Sequence, residues 1–136
     1  MRSEQIFKLS KRSKIIVCVV LTMLFVVLCG KTVFANNCTD EKYKGYTGSY
    51  GFATQTRNKT DDTSAYIYHY GPVGVYVQVR SQGINYTANG SSYYVAPGTS
   101  RYLPNYVYES GKRDCYLYIT SSNPATVSGV WSPDSV

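Results

Sequence analysis

The run Ala65-Tyr66-Ile67-Tyr68-His69-Tyr70, the link Gly71-Pro72-Val73-Gly74 and the run Val75-Tyr76-Val77-Gln78-Val79-Arg80-Ser81 decide the fold. Successive side chains of a strand point to opposite faces, so Val75, Val77 and Val79 share one face and Tyr76, Gln78 and Arg80 the other. The first run alternates in the same way, with Ala65, Ile67 and His69 opposed to Tyr66, Tyr68 and Tyr70. The glycines and proline between the runs supply turn chemistry, which predicts a β-hairpin with an aliphatic face and a tyrosine face.

Short segments of the same kind lie on either side. Tyr50 and Phe52 share a face in a predicted first strand within residues 48–56, and residues 93–96 form a short strand stopped by Pro97 and Gly98. In residues 101–109, Leu103 and Val107 oppose Tyr102, Tyr106 and Tyr108; Pro104 cannot donate to a ladder, which predicts an edge position or a bulge. Cys115, Leu117 and Ile119 then oppose Tyr116 and Tyr118, and residues 126–131 form the last strand before Pro133. Residues 36–48 read as an irregular arm, 57–63 as a polar loop and 82–92 as a long turn or weak strand. Outside the N-terminal segment no apolar spacing of helical period is sustained. The fold class predicted is all-β: a small antiparallel β-sandwich, or a partly open barrel, of six to seven strands.

The whole chain carries 14 basic and 8 acidic residues, but the excess is uneven. Residues 1–35 hold Arg2, Lys8, Lys11, Arg12, Lys14 and Lys31 against Glu4, whereas the remainder is close to neutral, so the charge is no argument for nucleic-acid binding. A basic start, an apolar run over residues 15–30 and the small-residue site Val33-Phe34-Ala35 are the parts of a secretory signal peptide. The apolar run is shorter than the roughly twenty residues of a spanning helix, and Leu28 before Cys29 does not suit a lipoprotein. The expected organisation is a helical signal peptide, residues 1–35, and a secreted β domain, residues 36–136. Membrane contact is expected only through an uncleaved leader.

Cys18 and Cys29 leave with that leader, and an exported pair such as Cys38 and Cys115 defaults to a disulfide. The bridge would close a long loop and stabilise by roughly 4 to 5 kcal/mol in the chain-entropy model.

Catalytic chemistry is sparse. His69 is the only histidine and has no GxSxG-like motif around it, and no two carboxylates form an identifiable acid and base, so no enzymatic activity is expected. No cofactor or metal is expected either. All fifteen tyrosines lie beyond residue 35. They suit a half-exposed sheet by strand propensity alone, or they form a binding surface in which rings with hydroxyl handles pack on sugars or on a protein. The candidate binding residues are Tyr66, Tyr68, Tyr70, Tyr76, Tyr106, Tyr116 and Tyr118.

The block Lys59-Thr60-Asp61-Asp62-Thr63-Ser64 and the ending Gly129-Val130-Trp131-Ser132-Pro133-Asp134-Ser135 resemble a family of small exported proteins of Gram-positive bacteria with no assigned activity. Ser64-Ala65-Tyr66, Tyr68-His69 and Gly71 carry a fainter resemblance to the bacteriocins of the lactococcin 972 type, which are secreted β-sandwiches acting on cell-wall assembly. The expectation is a secreted, non-enzymatic binding protein at the bacterial cell surface, with cell-wall glycan or a surface protein as partner. A bacteriocin-like antibacterial protein is the alternative.

Overall fold

The structure, a computed structural model, describes residues 36–136. The predicted leader, with Cys18 and Cys29, lies outside the described residues. Ten strands follow one another: β1 (Glu41–Tyr46), β2 (Phe52–Ala53), β3 (Arg57–Asn58), β4 (Ala65–His69), β5 (Val75–Ser81), β6 (Ile84–Asn85), β7 (Tyr93–Val95), β8 (Thr99–Leu103), β9 (Asp114–Thr120) and β10 (Thr126–Ser132). They form two antiparallel sheets, neither closed into a barrel. The first has the order β1-β10-β4-β8; the second has the order β2-β9-β5-β6, with β3 also on β9 and β7 on β5.

The period-2 patterning does the sorting. From the first sheet, Tyr43, Ala65, Ile67, Leu103, Val127 and Trp131 are buried, and from the second, Val75, Val77, Val79, Tyr93, Val95, Cys115, Leu117 and Ile119; Val107 joins the same core from a loop. This is the sandwich expected, with aliphatic positions inward and most tyrosines outward. Tyr43 and Tyr93 are the exceptions.

The predicted hairpin does not form. β4 pairs with β10 and β8, whereas β5 pairs with β6, β7 and β9, so residues 71–74 carry the chain from one sheet to the other. Alternation reports which side chains point inward but not which strand lies alongside, and a crossing between facing sheets leaves the same pattern as a hairpin. Gly71 is needed at this crossing because a Cβ there would sit 2.6 Å from His69 Cε1 and 2.9 Å from Val127 Cγ1.

The strand count also differs. β1 lies inside the expected irregular arm, because it is an edge strand that buries only Tyr43 and carries Lys42 and Lys44 outward. Charged, solvated edge strands hide their period, and lysine on an edge discourages pairing with other chains. The predicted first strand shrinks to the two residues of β2, and the predicted strand over 101–109 ends at Leu103.

Cys38 and Cys115 are free thiols, not the expected disulfide. Cys115 points into the core from β9 with no exposed surface, while Cys38 is half-buried beside an open hollow with Asp40, Tyr66 and Tyr102. Burial pushes the Cys115 thiol up to about 12. The arm is instead held by hydrogen bonds: the Asn37 backbone N–H donates to Asp134 Oδ2 at 3.1 Å, and Asn37 Nδ2 donates to the Asn58 carbonyl at 2.7 Å.

Candidate functional site

Three groups of side chains hold chemistry: a buried ion pair, a buried histidine and the rings on the outer faces. The ion pair joins the two polar blocks singled out in the sequence. Lys59 Nζ lies 2.8 Å from Asp134 Oδ1, and both side chains are fully buried. The ammonium also donates to the carbonyls of Thr63 and of Pro133, the latter at 2.9 Å. Asp134 Oδ2 accepts from Thr60 Oγ1 at 2.6 Å and from the backbone N–H groups of Thr60 and Asn37. Burial alone pushes the Asp134 carboxyl up, but hydrogen bonds from Lys59 and Thr60 and the lysine charge outweigh it, and the net direction is down. With its hydrogen-bonding capacity filled, the pair acts as a clamp between the arm, the loop after β3 and the segment after β10.

His69 is also a structural residue. Nε2 lies 2.7 Å from the Val73 carbonyl, which can only accept, so this nitrogen carries a proton. Nδ1 lies 3.0 Å from the Tyr43 hydroxyl, which burial raises above its ordinary value and keeps protonated. Both ring nitrogens are thus occupied by the fold. Among the described residues no cluster of three or more His, Cys, Asp or Glu side chains is arranged to hold a metal ion.

The candidate tyrosines divide between opposite sides of the sandwich. Tyr66, Tyr68 and Tyr70 lie on and just beyond β4, on the outer face of the first sheet, whereas Tyr76, Tyr116 and Tyr118 lie on the outer face of the second. Tyr106 is exposed in the loop between β8 and β9. On the second face Tyr118 is already occupied, since Arg80 stacks over it at 4.1 Å and its hydroxyl donates to the Tyr50 carbonyl, whereas Tyr76 and Tyr94 form a pair at 5.4 Å that stays 40% and 49% exposed.

The first face is more open. Its register sets Ser132, Tyr66 and Tyr102 in one row, and Lys42, Val130, Tyr68 and Ser100 in the next. Lys44 opposes Ser128, whose carbonyl accepts from the Tyr70 N–H. Tyr66 and Tyr102 pair at 5.5 Å between centroids, and Tyr68 and Tyr70 at 4.7 Å; Tyr70 and Tyr102 remain 60% and 57% exposed. A hollow of about 260 Å³ opens beside Tyr66 and Tyr102, lined also by Asp40, and another of about 380 Å³ beside Tyr70, lined by Lys42, Lys44, Ser128 and Val130. Tyr102, Lys42 and Lys44 were not among the candidates. The alternation Lys42-Tyr43-Lys44 is the signal that marks two of them as neighbours on one face.

The fold and these faces define a small antiparallel β-sandwich with ring-bearing outer surfaces and a clamp of buried charges. The chain belongs to the family described as "Protein of unknown function (DUF2712)", which matches residues 31–135 and so includes both halves of the clamp. No curated protein and no solved structure matches it.

Proposed function

We propose that this is a secreted, non-enzymatic binding protein of a Gram-positive bacterium that acts at the cell surface through the outer face of the first sheet. The observation that carries the reading is that two pairs of partly exposed rings, Tyr66 with Tyr102 and Tyr68 with Tyr70, share this face, with a hollow beside each pair. Rigid aromatic rings with hydroxyl handles bury contact area at low entropy cost, and they suit both sugar rings and protein surfaces. The second face supports binding less well, since its most open rings, Tyr76 and Tyr94, are 40% and 49% exposed against 60% and 57% for Tyr70 and Tyr102.

The test is co-sedimentation of the purified protein with bacterial cell walls. Tyr68→Ala/Tyr70→Ala should weaken binding roughly 5- to 150-fold, from roughly 0.5–1.5 kcal/mol per ring. Tyr116→Ala/Tyr118→Ala, on the opposite side, should leave it unchanged. The reverse ranking refutes the choice of face. Growth-inhibition zones around the purified protein on related bacteria would instead favour the bacteriocin of the lactococcin 972 type.

A further inference from the structure

Most cations of the domain are engaged within it. Arg57 pairs with Glu41 at 3.0 Å and stacks on Trp131; Arg80, Arg101 and Arg113 stack on Tyr118, Tyr93 and Tyr108. Lys59 is clamped to Asp134, and Lys112 donates to Gln82. Among the described residues, that leaves Lys42 and Lys44 as the basic side chains with no hydrogen bond or ion pair. They sit two positions apart on one exposed face of β1, about 7 Å from each other by strand geometry. Both line the hollow that Tyr70, Ser128 and Val130 complete. Glu41, the nearest acid in sequence, is taken by Arg57, and Asp40 lines the other hollow, beside Tyr66 and Tyr102.

Two unpaired ammonium groups beside a platform of rings match one kind of ligand. We propose that this hollow is an anion subsite for a phosphate-bearing glycopolymer, with phosphates against Lys42 and Lys44 and the neighbouring sugar or polyol units across Tyr70 and Tyr68. Lysine recognises phosphate as a point charge, whereas the planar arginine fork that favours bidentate carboxylate recognition is here committed to aromatic rings. A polymer suits the site better than a lone ion, because the lysines are exposed and the rings extend the surface away from them. The inference rests on the surface-binding reading above and names the ligand class of that same face.

Cell walls are compared before and after hydrofluoric acid treatment, which cleaves phosphodiester-linked polymers from the wall. Binding of the purified protein should fall roughly 3- to 30-fold on the stripped walls, and Lys42→Gln/Lys44→Gln should lower binding to intact walls by a similar factor. Soluble polyglycerol phosphate should compete, and dextran and polygalacturonate should not. Thermal unfolding of the lysine variant should match that of the parent, since both side chains are exposed. Equal binding to intact and stripped walls, or equal competition by polygalacturonate, overturns the phosphate assignment while leaving the surface-binding reading in place. Binding to neither wall overturns that reading itself.

Discussion

Replacing Asp134 with alanine tests the clamp most directly. The substitution leaves the Lys59 ammonium buried without its carboxylate and removes the acceptor for the N–H groups of Asn37 and Thr60. Breaking one side of a buried pair costs about 3–5 kcal/mol, a large share of the 5–15 kcal/mol that holds a typical domain together. At roughly 4–8 °C per kcal/mol for a domain of this size, the melting temperature should fall by roughly 12–40 °C. Trp131 is the only tryptophan and is buried, so its fluorescence during urea unfolding reads the transition. Lys59→Met/Asp134→Leu should recover part of the loss, because no unpaired charge remains, although the Thr63 and Pro133 carbonyls still lose a donor. Acid should act in the same direction. The Asp134 carboxyl titrates below its ordinary 3.8 in the folded protein, so its contribution is complete above that pH and is lost as pH falls through the lower folded value. The doubly substituted protein should lack this component of acid sensitivity. A loss under about 1 kcal/mol for Asp134→Ala would show that water reaches the pair and would refute the reasoning.

Three further outcomes follow from the packing. Val77→Asp places a carboxylate in the core and should abolish cooperative unfolding in urea, while Tyr76→Ser, at a partly exposed position, should cost no more than about 1–2 kcal/mol, including its contact with Tyr94. Gly129→Ala would place a Cβ 2.1 Å from the Tyr68 carbonyl oxygen; backbone cannot swing aside as a side chain can, so the β10–β4 pairing should weaken by about 1–3 kcal/mol in the same assay. Alkylation without reductant near pH 8 should label Cys38 alone in the native protein and both cysteines in denaturant, since Cys115 is buried and its thiol is pushed up to about 12. No label in either condition would contradict the free thiols.

The inward set was readable from alternation because period 2 is a property of each strand by itself. Val75, Val77, Val79, Leu117 and Ile119 needed only their own neighbours in sequence to be placed. Pairing is different, since nothing in residues 65–81 encodes that β4 lies beside β10 while β5 lies beside β9. Lys59 and Asp134 were visible as parts of two polar blocks, yet a lysine in a polar loop reads as solvated. Its burial depends on a partner at the far end of the chain, which local pattern does not contain. The tyrosines were placed outward correctly in most cases, but their division between two opposite surfaces follows from the sheet crossing at residues 71–74. Tyr43 was lost with β1, where its alternation was masked by charged neighbours on an exposed edge.

β1 takes its only partner from β10, with Glu41 set against Trp131 and Tyr46 against Thr126. A chain made from its N-terminus must therefore finish almost its whole length before the first sheet can close. Loop closure over such a separation is entropically slow, which places this topology among the late folders. Completion of the first sheet thus waits on β10, which joins β1 on one side and β4 on the other, whereas the β4–β8, β5–β6 and β5–β7 pairings need no residue beyond Leu103.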